Sequence, residues 1–112
     1  MMLIEADGKA LFREHGIPVP DGILVTDGRV AALPGTGPWM VKAQVPVGGR
    51  GKAVGVRRCT TAAEAAAGAG GKIGTRLKGH PVDACLVEQA ATGQERYLSV
   101  MVDAAHYELR VI

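Results

Sequence analysis

Apolar and polar positions follow two different periods along this chain, and the helical period occurs in two segments. Between residues 4 and 15 apolar side chains recur on one helical face, and "HGIPVP" ends the segment with glycine and proline. We therefore expect a first helix from about Ile4 to His15. A second helix is predicted to open at Thr61, because Glu64 stands three positions later in a capping-box pattern. Interior glycines each cost about 1 kcal/mol relative to alanine, so we expect this helix to end near Ile73.

A period of two predicts the remaining elements. The segments predicted as strands are "GILVT", "WMVKAQV", "AVGVRRC", "DACLVEQ", "RYLSVMVD" and "HYELRVI". The order of helices and strands is typical of an α+β fold, and we expect a mainly antiparallel sheet covered by two helices. In "WMVKAQV", alternation assigns Trp39, Val41 and Val45 to the core and leaves Lys42 on the opposite face. We expect Lys42 to be a solvated ammonium there, so that its replacement changes folding little.

The length and the charge balance limit the classes of function. With 112 residues and 47% apolar content, the chain is one domain with a modest core, which we place at residues 1–112. The formal net charge of +2 gives no strong field for nucleic acid or for an anionic membrane. Its apolar runs are far shorter than the roughly 20 residues that span a bilayer, and its N-terminus lacks a signal-peptide pattern, so we expect a cytoplasmic protein. The sequence stops inside the apolar run "LRVI", which predicts a piece of a longer polypeptide.

The cysteines and histidines match no pattern of catalysis or metal binding. Cys59 and Cys85 stand apart, without a C-x-x-C spacing or a histidine pair, and we interpret them as small buried hydrophobic residues. His15, His80 and His106 are expected in solvated or capping roles, with His80 in a loop before a proline. We therefore predict no catalytic residue and no metal ligand within this chain.

A glycine-rich loop, "PVGGRGKAVGV", follows the strand that carries Lys42. It lacks the P-loop spacing, since Pro46 stands where the first glycine belongs and Ala53 replaces the magnesium-binding hydroxyl. It also lacks the dinucleotide fingerprint, because Val54 stands at the third glycine and a strand follows instead of a helix. What remains is a loop between two strands, whose glycines let backbone N–H groups approach phosphate while Lys42 supplies a charge. The alternative is an ordinary flexible hairpin with solvated basic side chains.

A second segment, "LVEQAATGQERYLSV", has the composition of a nucleoside site. Glu88 lies at the end of one predicted strand and Glu95 lies near the start of the next, across a short connector that contains Gly93. A carboxylate after such a bend can accept hydrogen bonds from both ribose hydroxyls, and the extended backbone from residue 89 to 91 can pair with the edge of adenine. A hairpin with two exposed acids is the alternative. The phosphate loop and this hinge, in this order, together favour a nucleotide site.

Three segments of the chain resemble one family of enzymes. "KALFREHGIPVP", "GPWMVKAQVPVGGRGKAVGV" and "CLVEQAATGQERYLSVMVD" are similar to the opening helix, the nucleotide flap and the hinge in the ATP-grasp region of ADP-forming acyl-CoA ligases. This family includes the β subunit of succinyl-CoA synthetase, malate–CoA ligase and acetate–CoA ligase. The chain departs from the family pattern at Val54, where relatives usually have glycine. The resemblance runs almost end to end and implies the N-terminal half of an ATP-grasp fold.

The resemblance also implies which residues bind the nucleotide. They are Lys42, Gly49, Arg50, Gly51, Glu88, Gln89, Ala91 and Glu95. The lysine would contact the α and β phosphates, and residues 49–51 would form a flap over them. Glu88 and the backbone of its neighbours would meet adenine, and Glu95 would bind ribose.

The implied parent reaction converts ATP, a carboxylic acid and CoA into acyl-CoA, ADP and phosphate through a phosphohistidine. The Mg²⁺ ligands are expected beyond residue 112 and the histidine in another domain or subunit, so we expect the chain alone to be inactive. Implied partners are the remaining ATP-grasp and CoA-ligase domains, a CoA-binding α subunit, or further copies of this chain; no nucleic acid or membrane is expected. Two alternatives stay open. One is another ATP-grasp carboxylate–amine ligase, and the other is a non-catalytic module that binds a partner through an unpaired sheet edge.

Overall fold

The structure is a computed structural model that describes residues 3–30, 32–46 and 55–112. In chain order the elements are α1 (Glu5–Glu14), β1 (Gly22–Val25), β2 (Trp39–Ala43), β3 (Val56–Cys59), α2 (Ala62–Lys72), β4 (Arg76–Leu77), β5 (His80–Pro81), β6 (Cys85–Gln89), β7 (Val100–Asp103) and β8 (Glu108–Val111). Neither helix of this described part has the length and apolar character needed to cross a membrane. Both predicted helices and the described part of each predicted strand are confirmed to within a few residues; β7 begins four positions after its predicted start, and positions 53–54 of the predicted third strand lie outside the described residues.

The central sheet has four strands in the order β1-β6-β2-β3, and each neighbouring pair is antiparallel. Val41 stands in the middle of the sheet, opposite Val87 in β6 and Arg57 in β3. Strand β6 occupies a central position because its run "CLVEQ" opens with three apolar residues and is buried over its first four residues, as is typical of an interior strand. The expected α+β fold with an antiparallel sheet is confirmed.

Helix α2 packs on one face of this sheet and encloses the hydrophobic core. The Glu64 N–H donates to the Thr61 hydroxyl at 3.1 Å, and the Glu64 carboxylate accepts from the Thr60 N–H, so the predicted helix start is confirmed. Gly68 faces the sheet, where a Cβ would lie in ordinary van der Waals contact with Val41 Cγ2, at 3.7 Å. The core residues are Val25, Trp39, Val41, Ala43, Val45, Cys59, Ala65, Ala69, Val82, Cys85 and Val87.

Helix α1 lies against the opposite face of the sheet, and polar contacts hold it there. It has no buried residue, and its apolar Leu11 and Phe12 are exposed. The Ala6 N–H donates to Oε1 of the buried Gln44 side chain at 2.9 Å. The two helices therefore flank the sheet as expected, but only α2 does so through hydrophobic packing. As a consequence, charged side chains of α1 meet the sheet.

Sequence patterns do not predict the small hairpin formed by β4 and β5. Its strands have two residues each, which is too short for a recognisable alternation. Lys78 and Gly79 form the turn with φ angles of 50° and 80°, a conformation that suits the twist of a tight hairpin. The Gly74 N–H and the Thr75 carbonyl continue the pairing with Val82, which places the Val82 side chain in the core.

The hairpin formed by β7 and β8 is a sheet of its own and does not extend the central one. Val100 stands opposite Val111, and Val102 stands opposite Leu109. Residues directly opposite each other share a face, so these four side chains form one apolar surface, which we call the apolar hairpin face. Each of the four is between 62% and 75% exposed. Alternation predicts both strands, but it does not predict that they separate from the central sheet.

Candidate functional site

A cavity of about 410 Å³ opens on the sheet face that carries α1, where β2 and β6 lie side by side. Its lining residues are Lys9, Pro20, Met40, Lys42, Arg58, Glu88, Gln89, Ala90, Ala91 and Glu95. Half of these are residues that the family resemblance assigns to nucleotide binding, namely Lys42, Glu88, Gln89, Ala91 and Glu95. The lysine and the first glutamate are 46 positions apart in the chain. The fold therefore brings the described part of the predicted site together around one cavity.

Glu88 is the most deeply buried charged residue of this cavity, with 2% of its surface exposed. It stands opposite Met40 in the pairing of β2 with β6, which places Lys42 at the diagonal position on the same face. Lys42 Nζ lies 2.6 Å from Glu88 Oε1. Lys9 Nζ lies 2.5 Å from Oε1 and 2.7 Å from Oε2 of the same carboxylate. Two ammonium groups therefore compensate one buried carboxylate, which otherwise carries a large desolvation cost.

Lys42 is more strongly engaged than its sequence context indicates. Its Nζ also lies 2.9 Å from Glu5 Oε1, and 19% of its side chain is exposed. Burial acts to lower the pKa of Lys42, but the hydrogen bonds to Glu88 and Glu5 and the charges of these carboxylates outweigh it. The pKa of Lys42 is therefore raised above its ordinary value of 10.5. The expectation of a solvated ammonium at this position is wrong, because the side chain compensates a buried charge.

Glu5 and Lys9 complete this group of charges from helix α1. They stand one helical turn apart and form an ion pair of 3.0 Å. We call Glu5, Lys9, Lys42 and Glu88 the ion cluster; it contains two carboxylates and two ammonium groups and has no net charge. Sequence reasoning missed both helix residues. Their spacing indicates a common helix face, but it does not indicate which surface that face meets.

The backbone from Gln89 to Ala91 borders the cavity where β6 ends. The Gln89 N–H donates to the Asp21 carbonyl and the Ala90 N–H donates to the Pro38 carbonyl, both at 2.8 Å. Within the described residues, the Gln89 carbonyl and the Ala91 N–H have no hydrogen-bond partner. In an extended segment, a carbonyl and an N–H two positions apart point to the same side. This pair offers one acceptor and one donor, which is the complement of the adenine N6 and N1 edge.

The Gln89 side chain supports a neighbouring loop. Its Oε1 accepts from the Gly37 N–H at 3.3 Å, and its Nε2 donates to the Gly37 carbonyl at 3.2 Å. Gly37 has a φ of 81°, which favours glycine, and the following Trp39 anchors the same loop by donating from Nε1 to the Pro34 carbonyl at 2.7 Å. With the amide group of its side chain engaged in this way, Gln89 offers a ligand its main-chain carbonyl.

Two charged side chains stand at the exposed rim of the cavity. Glu95 is exposed, and in the part of the chain that the structure describes its carboxylate contacts no partner. Arg58 stands opposite Met40 in the pairing of β2 with β3, so it lies on the same sheet face as Lys42. Sequence reasoning missed Arg58, although the alternation of β3 relative to β2 is the signal that places it there.

Residues 49–51, which the resemblance assigns to the phosphate flap, lie outside the described residues, as does the whole segment 47–54. Across this segment, the Ala43 N–H at the end of β2 donates to the Gly55 carbonyl at 2.8 Å. Gly55, the first described residue after the segment, therefore lies beside the strand that carries Lys42. The phosphate role of the three flap residues stays a prediction.

The cysteines and two of the histidines lie away from the cavity. Cys59 and Cys85 are buried and not bridged, as predicted, and desolvation raises the pKa of each thiol above its ordinary value of 9.0. His15 Nδ1 lies 2.8 Å from the Leu11 carbonyl at the end of α1, which agrees with a capping role. His80 belongs to strand β5, so the expectation of a loop position is wrong.

The turn of the β7–β8 hairpin carries the third histidine within a small charged group. His106 Nδ1 lies 2.9 Å from Asp103 Oδ2, and Glu108 offers a carboxylate nearby. The Arg110 guanidinium contacts both carboxylates, at 2.7 Å for Asp103 and 3.2 Å for Glu108. Because Arg110 of the protein already pairs with both carboxylates, the group resembles an exposed ion-pair network more than a metal site.

One protein family matches this sequence over nearly its whole length. The family described as an ATP-grasp domain matches residues 2–112. Because this match covers nearly the whole chain, the chain belongs to the ATP-grasp domain family. The fold expected from the resemblance is confirmed.

Several similar proteins carry the name succinate–CoA ligase [ADP-forming] subunit beta. The chain is 43% identical over 124 aligned positions to the protein from Thioalkalivibrio sulfidiphilus (strain HL-EbGR7), which covers 100% of this chain and 32% of that relative. It is 44% identical over 111 positions to the proteins from Xylella fastidiosa (strain 9a5c) and Stenotrophomonas maltophilia (strain K279a), covering 88% of this chain and 29% and 28% of the relatives. The chain thus spans about a third of the length of the curated relatives it matches. The resemblance to ADP-forming acyl-CoA ligases is confirmed for this region.

Proposed function

We propose that this chain is the nucleotide-binding part of an ADP-forming acyl-CoA ligase of the succinate–CoA ligase β-subunit type. The observation that carries the proposal is the meeting of Lys42, Glu88, the hinge backbone and Glu95 around one cavity. The identity to succinate–CoA ligase β subunits over this region supports the same reaction class. In the parent reaction, ATP, a carboxylic acid and CoA become acyl-CoA, ADP and phosphate.

In this proposal ATP lies along the cavity with its phosphates at Lys42 and its base at the hinge. The adenine amino group donates to the Gln89 carbonyl, and adenine N1 accepts from the Ala91 N–H. The ribose hydroxyls donate to Glu95, whose carboxylate is exposed at the rim. Residues 49–51 close over the phosphates from the connection next to Lys42. Each group of ATP then meets a protein group of complementary hydrogen-bonding character.

The contribution of this chain to catalysis is positioning and charge compensation. Phosphoryl transfer depends mainly on holding the phosphates in line and on neutralising their charge. Lys42 and the flap amides supply the part of this charge compensation that comes from protein groups. Mg²⁺ would supply the remaining charge compensation, and we expect its ligands, the CoA site and the phosphorylated histidine in protein outside residues 1–112. The proposed compartment is the cytoplasm.

The apolar hairpin face supports the proposal that further protein packs on this chain. Val100, Val102, Leu109 and Val111 leave a continuous apolar surface exposed on a hairpin of only two strands. A two-stranded hairpin is marginal by itself in water and gains stability when such a face is covered. We assign this face to the remaining ATP-grasp part, with a CoA-binding α subunit as the further partner of the assembly.

Calorimetric titration of Mg-ATP into the native full-length protein tests the proposed site. Lys42→Met keeps an apolar stem and deletes a charge-assisted contact worth roughly 1.5 to 3 kcal/mol, so we expect the dissociation constant to rise about 10- to 150-fold. Arg57→Met is the matched control, because it removes the same charge from the neighbouring strand on the α2 side of the sheet. We expect this control to bind ATP like the wild type. Equal dissociation constants for Lys42→Met and wild type would remove Lys42 from the site.

A further inference from the structure

Lys9 makes contacts that neither the sequence patterns nor the proposed nucleotide contacts explain. Its ammonium lies within 2.7 Å of both oxygens of Glu88, although the two residues are 79 positions apart. It also lies 3.0 Å from Glu5 Oε1, and 20% of its side chain is exposed. An ordinary surface lysine of α1 would extend its ammonium into water. The Lys9 ammonium instead contacts Glu88, whose surface is 2% exposed.

Lys9 and Lys42 share the same two acceptor atoms. Both ammonium groups contact Glu5 Oε1, at 3.0 and 2.9 Å, and both contact Glu88 Oε1, at 2.5 and 2.6 Å. If Lys42 turns toward a phosphate, each carboxylate oxygen that it releases keeps a contact with Lys9. Without Lys9, the same movement would leave Glu88 as an uncompensated buried charge, which is a costly state.

We propose that Lys9 is a positioning residue for nucleotide binding, which keeps Glu5 and Glu88 neutralised so that Lys42 can exchange these carboxylates for a phosphate. The inference rests on the proposed function, since it requires an anionic ligand at Lys42. Removing Lys9 acts on that ligand in two ways. It binds Lys42 more firmly to the two carboxylates, and it gives the ion cluster a net negative charge, which repels phosphate.

A purely structural role of Lys9 leads to the opposite state of Lys42. If Lys9 only fastened α1 to the sheet, its loss would loosen the helix, withdraw Glu5 and expose the Lys42 ammonium. The chemical reactivity of the Lys42 amine therefore separates the two roles. Acetylating reagents attack only the neutral amine, so a more firmly paired lysine reacts more slowly and a more exposed one reacts faster.

The first experiment measures the rate of Lys42 acetylation by mass spectrometry in the native full-length protein without nucleotide. For Lys9→Met we expect a rate roughly three- to tenfold below wild type, since each unit of pKa changes the neutral fraction about tenfold. Arg13→Met, which removes a cation from the same helix outside the ion cluster, should leave the rate unchanged, and Lys9→Arg should restore it. A faster rate in Lys9→Met would overturn the proposal and support the structural role.

The second experiment titrates Mg-ATP into the same variants. We expect Lys9→Met to raise the dissociation constant about tenfold or more, Lys9→Arg to stay within about threefold of wild type, and Arg13→Met to match wild type. If the wild type binds ATP and Lys9→Met binds it with the same dissociation constant, the role of Lys9 is overturned and the proposed function stands. A wild-type protein that does not bind ATP would overturn the proposed function, and the role of Lys9 with it.

Discussion

The Lys42 ammonium lies 2.6 Å from Glu88 Oε1, across the pairing of β2 with β6, so one contact belongs both to the fold and to the candidate site. Lys42→Met should therefore destabilise the protein, because among the described residues Glu88 then keeps only Lys9 as a counter-charge. We expect a loss of about 1 to 3 kcal/mol, since a buried charge that loses part of its compensation pays a desolvation cost. Urea unfolding measures this loss as a lower midpoint at an unchanged m value.

The matched control for this measurement is Arg57→Met, which lies in the adjacent strand and is exposed. Surface substitutions of this kind usually change stability by no more than about 0.5 kcal/mol. If Lys42→Met were as stable as this control, the ion cluster would make no net contribution to folding. In that case the position would behave as the solvated lysine that the sequence alone suggests.

The raised pKa of Lys42 predicts how this contribution depends on pH. A lysine whose pKa is higher in the folded state than in the unfolded state stabilises the protein fully below the unfolded value. The contribution should therefore be constant below about pH 10.5 and should be lost as the pH rises through the folded pKa. The difference in unfolding free energy between wild type and Lys42→Met should shrink in this alkaline range. A gap that widens above pH 10.5 would contradict the assignment.

The alternation and capping patterns of the sequence predict the elements that depend on local chemistry. Thr61 and Glu64 form the capping interaction that their spacing indicates. Trp39 and Val41 point into the core while Lys42 points away from it, as the period of two requires. These features follow from residues close together in the chain, so a single sequence contains the information.

Contacts between distant segments were not predictable in the same way. The spacing of Glu5 and Lys9 predicts a common helix face, but their meeting with Glu88 depends on how α1 is placed on the sheet. That placement is set by polar contacts, such as the Ala6 N–H with Gln44 Oε1, and not by an apolar stripe that a sequence pattern would reveal. The residue patterns and the family resemblance proposed the hinge and Lys42 as site residues, while the charges that surround them required the fold.

Replacement of glycine by alanine should change the stability in opposite directions at Gly37 and Gly8. Gly37 has a φ of 81°, and a Cβ there would lie 2.6 Å from the Trp39 ring, so Gly37→Ala should destabilise the protein by about 1 to 3 kcal/mol. Gly8 lies inside α1 with nothing within 4 Å of a Cβ, so Gly8→Ala should stabilise it by about 0.5 to 1 kcal/mol. Thermal unfolding should show shifts of opposite sign. The loop of Gly37 is hydrogen-bonded to the Gln89 side chain. If Gly37→Ala left the stability unchanged, the loop would be able to adapt to the added methyl group.

The two buried thiols predict slow reaction with disulfide reagents. Desolvation raises the pKa of Cys59 and of Cys85, so little thiolate exists near neutral pH, and both side chains are enclosed by α2 and the sheet. In a colorimetric thiol assay, the folded protein should react only as fast as it opens, whereas the protein in denaturant should release two equivalents at once. Rapid reaction of one equivalent in the folded state would show that one thiol is accessible. Addition of ATP should not directly change the reaction rate of either thiol in the folded protein, since both thiols lie outside the cavity.

The apolar hairpin face predicts that the 112-residue chain associates when it is studied alone. Val102 and Leu109 stand opposite each other at the centre of this face, and 75% and 69% of their surfaces are exposed. Association removes such a surface from water, so sedimentation should show a mass that rises with protein concentration. Val102→Lys together with Leu109→Lys should keep the chain monomeric, because two charges would have to be buried.

Met101→Lys is the matched control for this experiment, since Met101 lies in the same strand on the other side of the hairpin, opposite Arg110. We expect this variant to associate like the wild type. If the wild-type chain stayed monomeric over the whole concentration range, the apolar hairpin face would not be an association surface. If Met101→Lys also abolished association, the contact would involve both sides of the hairpin, and the assignment of one face to the remaining ATP-grasp part would lose its support.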